Sequence, residues 1–318
     1  MQITLSLLAG LGLLFVGGQF LVDASVSLAR ALKFSPLVIG LTVVAFGSSA
    51  PELLVSIDAA LTDHADIVLG NIVGSNIANV LLVLGLSAAI FPIALNRKAI
   101  SRDGGAMVVA TSLFFLLALS GLLGVLEGLL LLAGLMIFLW VAFKFASVSE
   151  KAELDQQFTD AAELNQPSKV FMKSCSLLLV SLIALGLGSH LFVSGAVALS
   201  RLLGVSEVVI GLTVVAVGTA APEIITSVVA AWKRHSDIVI GNVLGSNIFN
   251  LLFIGGLTAL ISPLTIAPHF LQIDFMVLTA CSVTLVAYGV FARSIGRWLG
   301  LTMVLAYCLY TALLFYQV

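Results

Sequence analysis

Charge is what this chain has least of. Fourteen Lys and Arg and 16 Asp and Glu make up only 9% of its 318 residues, against about 25% in an ordinary soluble protein. Hydrophobic residues make up 60% of the chain, and its mean hydropathy is +1.19. No water-facing fold hides that much apolar surface, so the implied solvent is lipid. Net charge is −2, and the basic residues form no patch along the sequence, so nothing calls for nucleic acid.

Thiol and imidazole are equally sparse. There are four His and three Cys. Cys175, Cys281 and Cys308 lie far apart in apolar runs, with neither metal-ligand spacing nor a disulfide framework, and read as buried bystanders. The chain has no His-Glu-x-x-His and no Asp-x-Asp-x-Asp-Gly calcium loop. Met1-Gln2-Ile3-Thr4 supplies no basic leader, so the first apolar run is expected to be a retained membrane helix. No cofactor and no protein partner is implied; the expected surroundings are the lipid bilayer and inorganic cations.

What is present is length and repetition of apolar runs. A spanning helix needs about 20 apolar residues. The pattern predicts ten, at 3–29, 36–60, 67–92, 104–121, 123–146, 171–200, 207–232, 238–262, 271–292 and 297–316. The expected fold is an all-α polytopic membrane protein, with halves at 1–146 and 171–318 joined by a polar cytoplasmic linker at 147–170. Placing the loops alternately on two sides puts 13 of the 14 Lys and Arg on one side and Arg201 alone on the other. Basic loops stay in the cytoplasm, which predicts an inner-membrane protein with both termini outside.

The apolar runs are interrupted twice in the same way. Gly47-Ser48-Ser49-Ala50-Pro51-Glu52 recurs as Gly218-Thr219-Ala220-Ala221-Pro222-Glu223. The string from Gly70 to Asn79 (GNIVGSNIAN) recurs as Gly241 to Asn250 (GNVLGSNIFN). The offset is constant, 223 − 52 = 171 and 250 − 79 = 171. Each copy holds five predicted helices, an odd number, so the second copy enters the membrane inverted. Inverted repeats with interrupted helices mark secondary transporters that bind their cargo near the midplane.

Glu52 and Glu223 fall in mid-helix, where an ionisable group costs several kcal/mol. One such Glu would pass for a protonated packing residue; two at matched positions point to a site. Each Pro lacks an N–H, which frees the carbonyl of Gly47 or Gly218. The adjacent Gly allows further unwinding, exposing carbonyls such as those of Ala45 and Ala216. Ser48 and Thr219 stand four residues before the glutamates, and Ser75 and Ser246 four before Asn79 and Asn250, so each pair shares a helix face. Every candidate ligand is an oxygen, which suits a hard cation, and Ca²⁺ takes six to eight oxygens. The GxxxG pairs Gly70/Gly74 and Gly241/Gly245 read as helix contacts, and Asp66 and Asp237 as N-caps. His64 and His235 read as solvated loop residues, and Asp23, Asp58 and Glu127 lack acidic counterparts in the other half.

These strings resemble the two alpha-repeats of the calcium/cation antiporter superfamily, most closely its prokaryotic sodium/calcium exchanger branch. The resemblance covers essentially the whole chain. It implies exchange of Ca²⁺ against Na⁺ or H⁺ by alternating access. By motif position, the implied ligands are Glu52, Glu223, Ser48, Ser49, Thr219, Ser75, Ser246, Asn79 and Asn250, with the backbone of Ala45 and Ala216. Two positions depart from the branch pattern. Asn stands in both copies where that branch often has one Asp, and Ala220 stands opposite Ser49. Both weaken the case for sodium coordination, and the two Asn resemble the proton/calcium branch more closely. An intramembrane hydrolase built on the same glutamates lacks a His partner. A cation channel stays open as a reading, and flux that requires a counter-ion separates it from an antiporter.

Overall fold

The structure, a computed structural model, describes residues 2–32, 34–149, 167–204, 216–268 and 270–317. It is helical almost throughout. The first half holds α1 (Gln2–Leu32), α2 (Pro36–Ser48), α3 (Ala50–Leu61), α4 (Ala65–Ile90), α5 (Arg97–Ala118) and α6 (Val125–Ser149). The second holds α7 (Pro167–Leu202), α8 (Ala216–Thr219), α9 (Ala221–Trp232), α10 (Ser236–Ile261), α11 (Phe270–Phe291) and α12 (Arg297–Gln317). Four two-residue strands, β1 (Ile93–Ala94), β2 (Leu122–Leu123), β3 (Leu264–Thr265) and β4 (Ser294–Ile295), sit in the connections.

Among the described residues, eight helices are long and apolar enough to cross a bilayer, nine when the bent pair α2–α3 counts as one span. The expected seventh span, 207–232, begins on residues outside the described set, and its described part is the short α8 followed by the 12-residue α9. Several expected boundaries move. The fourth span starts at Arg97 rather than 104, because Asn96 caps it by accepting from the N–H groups of Lys98 and Ala99. The linker is shorter than expected: α6 runs to Ser149 and α7 starts at Pro167, where proline suits a first helical turn. The expected Asp N-caps are not caps. His64 and His235 occupy those positions without side-chain cap bonds, and Asp66 and Asp237 lie in the first turns. The chain turns earlier than expected, through Asp63 and Arg234 at φ 59° and 64°, so each helix begins ahead of its Asp.

The polar strings lie at the centre. α10 is 94% buried and α4 72% over their most apolar stretches, whereas α12 is 6% and α7 22% buried. The outward faces are apolar, as at Leu54, Leu126, Val180 and Leu305, which suits lipid as the surroundings. The cysteines are correspondingly not core residues: Cys175 and Cys281 are half-buried and Cys308 is exposed on α12.

The two halves meet in matched pairs. β1 pairs with β4, Ile93 opposite Ile295, and β2 with β3, Leu123 opposite Leu264. β3 lies 171 residues after β1, from Ile93 to Leu264, so the two ribbons are the same contact made twice. The helices repeat this. A Cβ on Gly85 would meet the Gly300 carbonyl at 2.9 Å, and one on Gly256 would meet the Gly128 carbonyl at 3.0 Å. α1 and α7 pack along most of their length and antiparallel, with Leu7 beside Gly195 and Gly17 beside Ser181 and Leu185. The expected helix contact through GxxxG appears in the second copy, where a Cβ on Gly241 would fall 2.6 Å from the Leu37 carbonyl. A Cβ on Gly70 or Gly74 would meet nothing within 4 Å among the described residues outside its own helix turn. The segment of the second half equivalent to Leu37–Val44 lies outside them.

Candidate functional site

The break before each glutamate is a single residue. Ser49 (φ −79°, ψ 9°) and Ala220 (φ −77°, ψ 0°) leave helical geometry at matched positions, and α2 and α3 meet there at 44°. Pro51 and Pro222 then occupy the first turns of α3 and α9, where a missing N–H costs nothing. Glu52 and Glu223 lie in those same first turns. A helix start presents partial positive charge, which favours a carboxylate there. Both glutamates are 1% exposed.

The structure gathers the described members of the expected ligand set into one buried region where the halves interlock. The Ser49 hydroxyl donates to Glu223 Oε1 at 3.1 Å. The Ser48 hydroxyl donates to Asn242 Oδ1 at 3.1 Å. Asn250 Nδ2 donates to Ser75 Oγ at 3.1 Å, and Asn79 Nδ2 to Asn247 Oδ1 at 3.1 Å. Each bond crosses between halves. Asn79 and Asn250 thus spend their N–H groups on protein partners and keep their oxygens.

Those oxygens have nothing to accept. Glu52 Oε2, Glu223 Oε2, Asn79 Oδ1, Asn250 Oδ1 and Ser246 Oγ are buried without a hydrogen-bond partner among the described residues. An unsatisfied buried polar atom costs about 1–3 kcal/mol, more when charged. Native proteins keep few of them, and each calls for an explanation. Among the described residues eight such atoms occur, all oxygens; six lie in the two motifs, Asn76 Oδ1 being the sixth, and Thr226 Oγ1 and Ser282 Oγ lie outside them. Oxygens of this kind are the ligands that a hard cation takes. Among the described residues no cluster of three or more His, Cys, Asp or Glu side chains occurs, so any such ion rests on two carboxylates and neutral oxygens.

The backbone ligands fare differently. The Ala45 carbonyl already accepts the Ser49 N–H at 3.1 Å and the Ser48 hydroxyl at 3.4 Å, because the helix runs on through Gly47 and breaks only at Ser49. The Gly218 carbonyl, deprived of its donor by Pro222, is taken by the Ser189 hydroxyl of α7 at 2.7 Å. Ala216 is the first residue of α8, and Thr219 is 8% exposed. Ser189 was not among the expected residues; its equivalent in the first half is Gly18, which has no hydroxyl to offer.

Other residues were missed too. Asn71 donates to the Glu52 carbonyl at 2.9 Å and to Ser56 Oγ at 2.8 Å, and Asn242 donates to Ser227 Oγ at 3.0 Å. Ser56 and Ser227 share the 171 offset, a signal available in the sequence. Asp103 and Asp274 share it as well. Asp103 is 2% exposed and gripped by Arg102 at 2.7 and 2.9 Å; Asp274 is 6% exposed and accepts the Tyr310 hydroxyl at 2.6 Å. Asp58 is exposed, as its lack of an acidic counterpart suggested.

A family model described as sodium/calcium exchanger protein matches residues 3–144 and 173–316. The chain is similar to a putative antiporter, CaxA, of Alkalimonas amylolytica, 36% identical over 98% of both chains. It is also similar to the sodium/calcium exchanger MaX1 of Methanosarcina acetivorans, 33% identical over 98% of both. Among solved structures it resembles the sodium-calcium exchanger NCX_Mj soaked with Na⁺ and Sr²⁺, with a TM-score of 0.85, 31% identity and 98% of both chains covered.

Proposed function

The chain belongs to the sodium/calcium exchanger protein family, and from that premise we propose that it exchanges Ca²⁺ for Na⁺ through one central site. As a member it is a multi-pass membrane antiporter of calcium and other cations. In our reading, Glu52 and Glu223 hold the ion with Asn79, Asn250, Ser48, Ser49, Thr219, Ser75 and Ser246 around them. The observation that carries this is the set of orphaned buried oxygens on both motifs. The ions are cargo: Ca²⁺ and the monovalent ion use the same carboxylates, so one excludes the other, and that exclusion makes the protein an antiporter rather than an enzyme or a channel. Ca²⁺ uptake into proteoliposomes, with Na⁺ and pH gradients imposed separately, tests it. Uptake that proceeds with neither gradient would point to a channel.

Ten spans in two inverted halves are part of the proposal. The doubled ribbons β1–β4 and β2–β3 support it, since an in-plane two-fold relating the halves would exchange them. A reporter fused after Val318 is then expected outside the cell, and one inserted within 150–165 inside. Protease protection assays read both, and a shared side overturns the ten-span count.

Ions reach the site from one face at a time in this reading. α1 packs closely on α9, with Gly18 against Ile225 and Lys233 Nζ bonded to Asp23 Oδ1 at 2.7 Å. The equivalent seam between α7 and α3 is much looser, and Leu54, the counterpart of Ile225, is 68% exposed. The counterparts of Asp23 and Lys233 are Ser194 and Thr62, which form no ion pair. Asp23 and Lys233 therefore favour the state closed at the basic end. The pair is partly exposed, and such bridges contribute about 0.2–1 kcal/mol. Asp23→Asn is expected to raise apparent Ca²⁺ affinity at the cytoplasmic face by up to about fivefold, and the swap Asp23→Lys with Lys233→Asp to restore it. Equal affinities in all three proteins would remove the pair from gating.

A further inference from the structure

The basic residues form no patch along the sequence, yet the fold makes one. β1 and β4 bring together segments about 200 residues apart, and the Leu95 N–H bonds the Arg293 carbonyl at 2.9 Å. Arg97, Lys98, Arg293 and Arg297 flank this ribbon and are exposed. The Ala94 N–H also donates to Ser236 Oγ at 3.0 Å, and the Arg234 guanidinium lies 5.1 Å from the Phe91 ring centre, which adds exposed Arg234 to the same face.

Among the described residues none of these five has an ion-pair partner. Asp103 is buried against Arg102, and Asp237, one residue past Ser236, is the exposed carboxylate nearest in the chain. Phe291 and Trp298, 86% and 83% exposed, flank Arg293 and Arg297 at the ends of α11 and α12. Aromatic rings at span ends sit at headgroup level. The ribbon itself does not require the charge. Its symmetric copy, β2–β3, is flanked at 119–127 and 262–268 by no Lys or Arg at all. Orientation in the membrane requires basic loops on one side, but not their convergence with unpaired side chains beside exposed rings.

We propose that the β1–β4 face is a docking site for anionic phospholipid, its headgroup phosphate held by Arg97, Lys98, Arg234, Arg293 and Arg297 and its acyl chains lying against Phe291 and Trp298. Arginine matches a phosphate bidentately, and basic residues at a membrane surface each add to the attraction of anionic lipid. The site is separate from the central cation site and depends only on the chain being a multi-pass membrane protein.

Trp298 reports on it directly. In the full chain carrying Trp140→Phe and Trp232→Phe, fluorescence is quenched by brominated phosphatidylglycerol or brominated phosphatidylcholine at equal mole fraction in mixed vesicles. Local enrichment of phosphatidylglycerol by about tenfold is expected, falling as salt is raised and unaffected by free glycerol phosphate. Arg97→Gln with Lys98→Gln reduces the preference, and adding Arg293→Gln and Arg297→Gln removes it. Should the fourfold variant fail to reach the membrane, the double variant and the unsubstituted basic face still decide. Equal quenching by the two lipids, or a preference that survives the double variant at full strength, overturns the proposal. Reversal by glycerol phosphate would assign the face to soluble phosphate instead.

Discussion

Glu52→Gln and Glu223→Gln are each expected to reduce Ca²⁺ exchange by roughly a hundredfold or more, while the protein still reaches the membrane folded. Leaving a buried charge without its partner costs about 3–5 kcal/mol, and every 1.4 kcal/mol is a factor of ten. One glutamate balances only half the charge of Ca²⁺ at a depth where uncompensated charge is costly. The fold should tolerate the change. Glu52 Oε2 and Glu223 Oε2 make no hydrogen bond among the described residues, so losing their charge breaks no bond at those atoms. The bond from Ser49 to Glu223 Oε1 survives, because an amide oxygen accepts it equally well. ⁴⁵Ca²⁺ flux in proteoliposomes, with size-exclusion profiles as the check on folding, reads the outcome. Near-normal exchange in either variant would end the two-carboxylate site.

The second large effect concerns current. Asn79 and Asn250 are neutral, and their N–H groups are tied to Asn247 and Ser75, so the expected site carries two formal charges. Two carboxylates balance one Ca²⁺, or two monovalent cations in the return step. A third Na⁺ would leave a net positive charge near the midplane, which is costly. We expect a coupling ratio nearer two than three, little transport current under voltage clamp, and partial replacement of Na⁺ by protons. Asn250→Asp with Ala220→Ser adds a third carboxylate and supplies Glu52 with the hydroxyl that Ser49 supplies to Glu223. That variant should gain a current that scales with Na⁺. A robust current from the unaltered protein, with no Ca²⁺ flux under a pH gradient alone, would establish three-Na⁺ coupling.

The division between chain and fold shows most clearly at the prolines. That Pro51 and Pro222 each free a carbonyl follows from covalent structure and is legible in the sequence. Where the carbonyl goes is not: Gly218 is met by Ser189, from a helix 29 residues earlier. Likewise the oxygens of the proposed site could be named from the repeated strings, because a buried polar residue in lipid needs a reason and a doubled one needs a shared reason. Ser48, Ser49, Ser75 and Asn79 nevertheless look alike on paper. Only the crossing of the two halves makes Ser49 a donor to Glu223, Ser75 an acceptor for Asn250, and Asn79 an oxygen with no partner among the described residues.

The sequence by itself determined that the solvent is lipid, that the chain is doubled, and that two carboxylates stand at matched breaks. Composition and spacing are local, and the bilayer turns them directly into spans. The tertiary structure alone decided which carbonyls are spent, which seam is closed, and that Arg97 and Arg293 share one face. Those depend on contacts between segments far apart in the chain, and no local pattern records them.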